Sequence, residues 1–270
     1  MGVRPMQTAS QVLTRAHGRV IARVRVSADV ADVLPAPIAV RVLGGFELWR
    51  GAELVALPLF AQRLVAFLAV RERPQFRTAV ACSLWLDTTE ARASANLRTA
   101  LWKIRQIDGA LIQINGNYLS LSDAADTDLA TLLAQARRLI STDHELVDTD
   151  TDVYSLRADL LPDWDEEWIL FERERLRQLR CHALEALCRR LSGRGRHAES
   201  IDAGQAAVAA EPLRESAHRA LIAAHLAEGN LCEARRQFVL YRQLLWSNLG
   251  VLPPADLHQM VGWTEDLTIS

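Results

Sequence analysis

Apolar and polar residues alternate with a period of two through residues 38–57, "IAVRVLGGFELWRGAELVAL", broken at Gly44-Gly45 and Gly51. Successive side chains of a strand point to opposite faces, so this pattern predicts short antiparallel strands joined by tight turns. The period then lengthens. In "LPLFAQRLVAFLAVR" the residues Leu64, Phe67, Leu68 and Arg71 fall at helical spacing, and Pro74 stops the run. A second, shorter helix is predicted over "RTAVACSLWL", with Val80, Leu84 and Trp85 on one side. Asp87-Thr88-Thr89 supplies turn and N-cap chemistry for a third helix over residues 90–107. Two alternating segments then flank Asn115-Gly116 in "ALIQINGNYLSLS", a strong short signal for a hairpin with a type I′ turn.

Strands, three helices and a hairpin, in that order, are the layout of a winged helix-turn-helix, whose third helix can enter a DNA major groove. A different regime follows. "TDLATLLAQARRLI" reads as a connecting helix and "STDHELVDTDTD" as an acidic linker. From Asp165 onward the pattern is nearly all helical and it repeats: "GRHAES" at 195–200 matches "GNLCEA" at 229–234, an offset of 34 residues. That is the tetratricopeptide period, one pair of antiparallel helices per unit. Leu184, Leu187, Leu191, Gly195 and Pro212 occupy its pattern in the first unit; Leu221, Gly229, Ala234 and Phe238 do so in the second, where Trp246 replaces the proline. The expected fold class is mainly α: an N-terminal α+β winged helix-turn-helix, then an all-α tetratricopeptide-like domain. The expected divisions are a basic segment 1–36, a winged helix 37–123, a connecting helix and linker 124–164, and the helical repeats 165–264.

Charge changes the picture. The chain of 270 residues has a net charge of −2, which taken whole argues against a nucleic-acid binder. Residues 1–123, however, hold 15 Arg and Lys against 9 Asp and Glu, whereas residues 124–270 hold 16 against 24. Such an asymmetry assigns the two halves different partners. The basic start, "MGVRPMQTASQVLTRAHGRVIARVRV", lacks the continuous apolar core of a signal peptide. It reads as a mobile tail or as the product of an upstream start codon. No apolar run approaches 18 residues, so no membrane span is expected. The four cysteines form no CxxC pair and fit small hydrophobes in a reducing compartment, the cytosol.

The third helix carries the candidate chemistry. Projected at 100° per residue, Ala93, Leu97, Ala100, Leu101 and Ile104 gather on a core face. Opposite lie Arg92, Ala95, Asn96, Thr99, Lys103 and Gln106, with Arg98 and Arg105 on a flank, and Lys103 is the one lysine of the chain. Guanidinium and ammonium groups pair with phosphates or guanine edges, Asn pairs with adenine, and small residues allow close approach. Arg92, Asn96, Thr99 and Lys103 are expected to face the major groove, and Arg98 and Arg105 to steady the backbone. Asn115 and Asn117 form the expected wing tip, near the minor groove or phosphates. Trp102 is placed at the strip's edge, packing under the wing. A merely solvated arginine-rich face is the plain alternative; the preceding short helix and following hairpin favour DNA.

These stretches also carry a resemblance. "RVLGGFELWRG", "QRLVAFLAV", "ANLRTALWKIR" and the hairpin resemble the DNA-binding domain of the Streptomyces antibiotic regulatory protein family, related to that of response regulators. "DLLPDWDEEWILFERERLRQLR", "PLRESAHRALIAAHLAEG" and "LGVLPP" resemble its bacterial transcriptional activation domain, so the match spans roughly residues 38–262. The resemblance implies an activator that binds double-stranded promoter DNA as a tandem dimer on direct repeats upstream of secondary-metabolite genes. It also implies contact with RNA polymerase and its sigma factor, for which the acidic loop bearing Asp87 and Glu90 is the candidate surface. Capping of the helix by Asp87 or Thr88 is the alternative for that loop. Departures from the family stand out, among them the basic segment before residue 38, which has no counterpart in its compact members. The family's first winged-domain helix often opens Lys-Gln-Arg, whereas Ala61-Gln62-Arg63 stands here, one phosphate-facing cation fewer. The chain also shows no GxxxxGK[ST] loop, so the nucleotide switch of longer relatives is not expected.

Enzyme chemistry finds little support. The seven histidines make no HExxH or comparable ligand spacing, and no metal or cofactor is expected. His218 and His225 read as a structural pair on one helix. The acids of "DWDEEW" fit the start of a helix better than a glycosidase pair, with Trp164 and Trp168 as anchors. The rival reading is a tetratricopeptide-like adaptor that binds no DNA.

Overall fold

The computed structural model describes residues 36–141, 145–147 and 151–262. The expected basic tail thus lies, but for Ala36, outside the described residues, as do parts of the acidic linker.

Two small sheets and three helices build the first part. Strands β1 (Ile38–Arg41), β2 (Glu47–Arg50) and β3 (Glu53–Leu54) form the predicted antiparallel set, with Ile38 opposite Arg50 and Arg41 opposite Glu47. The β1–β2 turn needs Gly44 and Gly45, whose φ of +81° and +153° a side chain would resist. Helix α1 (Leu59–Val70) buries Leu64, Val65, Phe67 and Leu68. Strand β4 (Gln75–Phe76) leads directly into α2 (Arg77–Leu84), and α3 covers Glu90–Ile107, the span predicted. The hairpin is β5 (Ile112–Asn115) and β6 (Tyr118–Leu121), and β4 joins it to give the order β4-β6-β5.

Strand β7 (Ala125–Thr127) runs parallel to β1 and completes the first sheet as β3-β2-β1-β7. The sheet therefore takes its last strand from beyond residue 123. Helix α4 (Asp128–Ile140) follows at once, capped by Thr127, whose hydroxyl accepts from the Ala130 N–H at 3.0 Å. Asp128 turns back to accept the backbone N–H groups of Val42 at 3.0 Å and Leu43 at 3.1 Å. Burial pushes its carboxyl up from the ordinary value, and those two backbone donors pull against that.

A short helix α5 (Val153–Arg157) precedes the long α6 (Glu167–Ser192), α7 (His197–Ala210), α8 (Glu215–Ala227), α9 (Leu231–Leu249) and α10 (Ala255–Met260). The 34-residue repeat is two helix pairs, α6 with α7 and α8 with α9. Each pair turns through a glycine of positive φ, Gly195 at +73° and Gly229 at +86°. Arg180, nearly buried, donates to the carbonyls of Leu156 and Arg157 and pairs with Asp159.

One hydrophobic core runs from Val40 through α1–α4 into Leu184, Leu191 and Ala207, and a second, around Phe238, Tyr241 and Leu257, closes the C-terminal end. The tryptophans of "DWDEEW" join the two halves. Trp164 stacks on Phe46 at 6.0 Å, Trp168 meets Phe67 edge-on at 5.1 Å, and the two indoles are 6.5 Å apart. Leu161 adopts a left-handed φ of +42°, rare outside glycine, held by its N–H to the Val42 carbonyl and by Arg173 on its own carbonyl.

Candidate nucleic-acid interface

Helix α3 is fixed at both ends. At its start the Thr89 hydroxyl accepts from the Arg92 N–H at 3.4 Å, and Thr88 instead donates to the Trp85 carbonyl at 3.0 Å. The cap is Thr89, which leaves Asp87 and Thr88 free of that duty and Asp87 and Glu90 exposed. At its end Arg50 of β2 bonds the Ile107 carbonyl and pairs with Asp108 at 3.0 Å. Ala93, Leu97, Ala100 and Ile104 are buried as the projection requires, while Leu101 is half-buried.

The outer face carries Arg92, Arg98, Thr99, Trp102, Arg105 and Gln106 exposed, with Asn96 and Lys103 half-buried beside them. The Thr99 hydroxyl donates to the Ala95 carbonyl at 3.1 Å, which leaves the hydroxyl oxygen able to accept. Among the described residues, none of Arg92, Arg98, Lys103 and Arg105 makes an ion pair. The helical half behaves differently: Arg157 pairs with Asp202, Arg177 with Glu174 and Glu211, Arg196 with Glu199, Arg214 with Glu185, and Arg219 with Glu215 and Asp256. Four unneutralised cations on one helix face make a strip suited to an anion.

Trp102 corrects the sequence reading. It does not pack under the wing; it stands near the middle of the strip, 61% exposed. Position 102 is about half a turn from the line of Ala93, Ala100 and Ile104, so the projection itself held that signal.

The wing has three strands rather than two. Its turn also differs from the expected one. Asn115 pairs with Tyr118, so Gly116 and Asn117 are the central residues, and only Gly116, at +57°, has positive φ. Positive φ at the first central position alone is the habit of a II′ turn, for which glycine is suited, rather than I′. Asn115 and Asn117 are both exposed at the tip. Strand β4 brings an exposed aromatic pair, Phe76 against Tyr118 at 5.6 Å, and the Arg77 N–H donates to the Asn117 carbonyl at 2.8 Å. A two-residue strand has no periodicity to betray it, so this part of the site was invisible in the sequence.

Arg63 of α1 turns inward to Glu166, Nε to Oε1 at 2.6 Å, and to the Leu84 carbonyl at 2.5 Å. Ala61 is fully buried, so a lysine there would have no route to a backbone. Among the described residues no group of three His, Cys, Asp or Glu side chains is placed to hold a metal ion. No helix among them is long and apolar enough to cross a membrane.

Residues 129–261 match the family model of the bacterial transcriptional activator domain. The regulatory protein AfsR of Streptomyces griseus is 29% identical over 256 residues, covering 88% of this chain and 26% of the relative. AfsR of Streptomyces coelicolor is 30% identical over 241 residues, covering 81% and 23%. Over most of its length the chain is similar to regulators of the Streptomyces antibiotic regulatory protein family. The chain spans about a quarter of the length of those curated relatives. Its fold is shared with Mycobacterium tuberculosis EmbR, solved in complex with a low affinity phosphopeptide, at a TM-score of 0.70 and 18% identity over 84% of this chain and 64% of that one. The matched model describes a transcriptional activator domain, and the curated relatives are regulatory proteins.

Proposed function

We propose that this protein is a sequence-specific DNA-binding transcriptional activator. The observation that carries the reading is the strip of cations without ion pairs on α3, on a winged-helix scaffold, where the helical half, among the described residues, pairs most of its arginines. In this reading α3 enters the major groove. Arg92, Asn96, Thr99 and Lys103 meet base edges and near phosphates, Arg98 and Arg105 hold the backbone, and Asn115 and Asn117 approach the flanking backbone from the wing. Two copies bind direct repeats in tandem upstream of secondary-metabolite genes, in the cytoplasm. Asp87 and Glu90, repelled by phosphate, face RNA polymerase and its sigma factor. No cofactor or metal enters the scheme.

Duplex binding measured against salt tests it. A DNA binder that neutralises four or five phosphates loses affinity with a log–log slope of about −4. Footprinting upstream of neighbouring genes then locates the repeats. Absence of duplex binding at low salt would instead assign the protein to the adaptor class.

A further inference from the structure

Trp102 stands out on the cationic strip. Its neighbours one helical turn away are Arg98 and Thr99 on one side and Arg105 and Gln106 on the other. With 61% of its surface in water, its indole lies outside the core, and among the described residues no other aromatic ring packs on it. Trp164 and Trp168, by contrast, are stacked into the join between the halves. The surrounding cations select an anionic partner, yet an indole offers phosphate a single N–H and its apolar rings gain nothing from charge. Whatever covers it must offer negative charge around an apolar centre.

Duplex DNA read from the major groove has that pattern. In an intact duplex the base faces are stacked on each other and closed to an aromatic ring. The apolar group the groove exposes is the C5-methyl of thymine, between two rows of phosphates. We propose that Trp102 is a base-reading residue that packs its indole on a thymine methyl group, giving the protein a specificity determinant besides its polar side chains. The assignment rests on the DNA-binding reading above and adds what one position of the site must be.

The test begins with the full chain and a random duplex library, from which a bound consensus is selected. Each thymine of that consensus is then replaced by deoxyuridine, which lacks only the methyl. Wild type loses about fourfold in affinity at one thymine, the equivalent of one methyl group left uncovered. Trp102→Ala binds the thymine and uracil duplexes equally at that position, and Trp102→Phe keeps part of the difference. Thermal unfolding unchanged in Trp102→Ala separates this from a folding defect. A consensus bound tightly but with no methyl-dependent position overturns the Trp102 assignment alone, as does full methyl dependence in Trp102→Ala. Failure to select any duplex overturns the DNA-binding reading and the assignment with it.

Discussion

Arg63 of α1 and Glu166 at the head of α6, 103 residues apart in the chain, meet as a two-point ion pair: Nε lies 2.6 Å from Oε1, and Nη2 donates to Oε2 at 2.9 Å. The same guanidinium reaches the last carbonyl of α2 at Leu84, so one side chain ties the winged helix to the helical half. The indole N–H of Trp168 donates to the same Oε2 of Glu166 at 2.5 Å.

Both partners are about three-quarters covered, so their removal should be felt. Arg63→Ala is expected to cost about 2 kcal/mol in urea unfolding, because it leaves Glu166 and the Leu84 carbonyl short of a donor. Glu166→Gln should cost less, and the double variant should show clear coupling. Additive effects would mean the pair contributes little to joining the halves.

On α3 the polar positions separate by role. Asn96→Ala is expected to weaken binding to a cognate site by about 1–3 kcal/mol and to relax preference at one base pair. Lys103→Ala should weaken all sequences alike and reduce the salt slope by about one unit. If both variants footprint as wild type does, α3 is not the reading helix.

Glu90 is exposed in the first turn of α3, which Thr89 caps. Glu90→Lys is expected to leave promoter binding unchanged or slightly tighter, and to lower transcription in a reconstituted assay with polymerase. Weaker binding accompanied by a proportional fall in transcription would strip the loop of any polymerase contact.

His218 gives a pH dependence. Its ring stacks on Tyr241 at 4.1 Å, with Nε2 against the Pro212 carbonyl and Nδ1 against the Gln237 amide. Burial pushes its pKa below the ordinary 6.5. The unfolded chain therefore takes up a proton before the folded one does. Stability from this group is complete above about pH 6.5 and falls as pH drops below it, by at most about 1.4 kcal/mol per pH unit. Denaturant unfolding of His218→Gln should show a shallower loss between pH 6.5 and 5.5 than wild type. Equal slopes would place the acid sensitivity elsewhere.

Periodicity decided how much was legible. α3 was bounded to the residue because its apolar line, its cap and its end all agree over 18 residues. The 34-residue repeat was legible for the same reason, as two turns and two helix faces recur together. Strands β4 and β7 escaped because two or three residues carry no period, and their existence depends on partners 42 or more residues away. The inward turn of Arg63 escaped too, since an arginine on a helix looks the same whether it meets phosphate or a distant glutamate. At the candidate site, the outward placement of Arg92, Arg98 and Arg105 followed from the helical projection. The exposed indole was not read from it, because a tryptophan among apolar residues is ordinarily assigned to a core.

The parallel pairing of β1 with β7 bears on how the chain is made. Strand β1 emerges from the ribosome long before β7, and until residue 127 has followed, one edge of its sheet has no neighbour. The N–H groups of Val42 and Leu43 likewise wait for the carboxylate of Asp128. A fragment that stops at the wing would keep both openings, and with them a tendency to pair with other chains. The sheet ahead of the wing and the first helix after it are thus completed together, once residue 128 has been made.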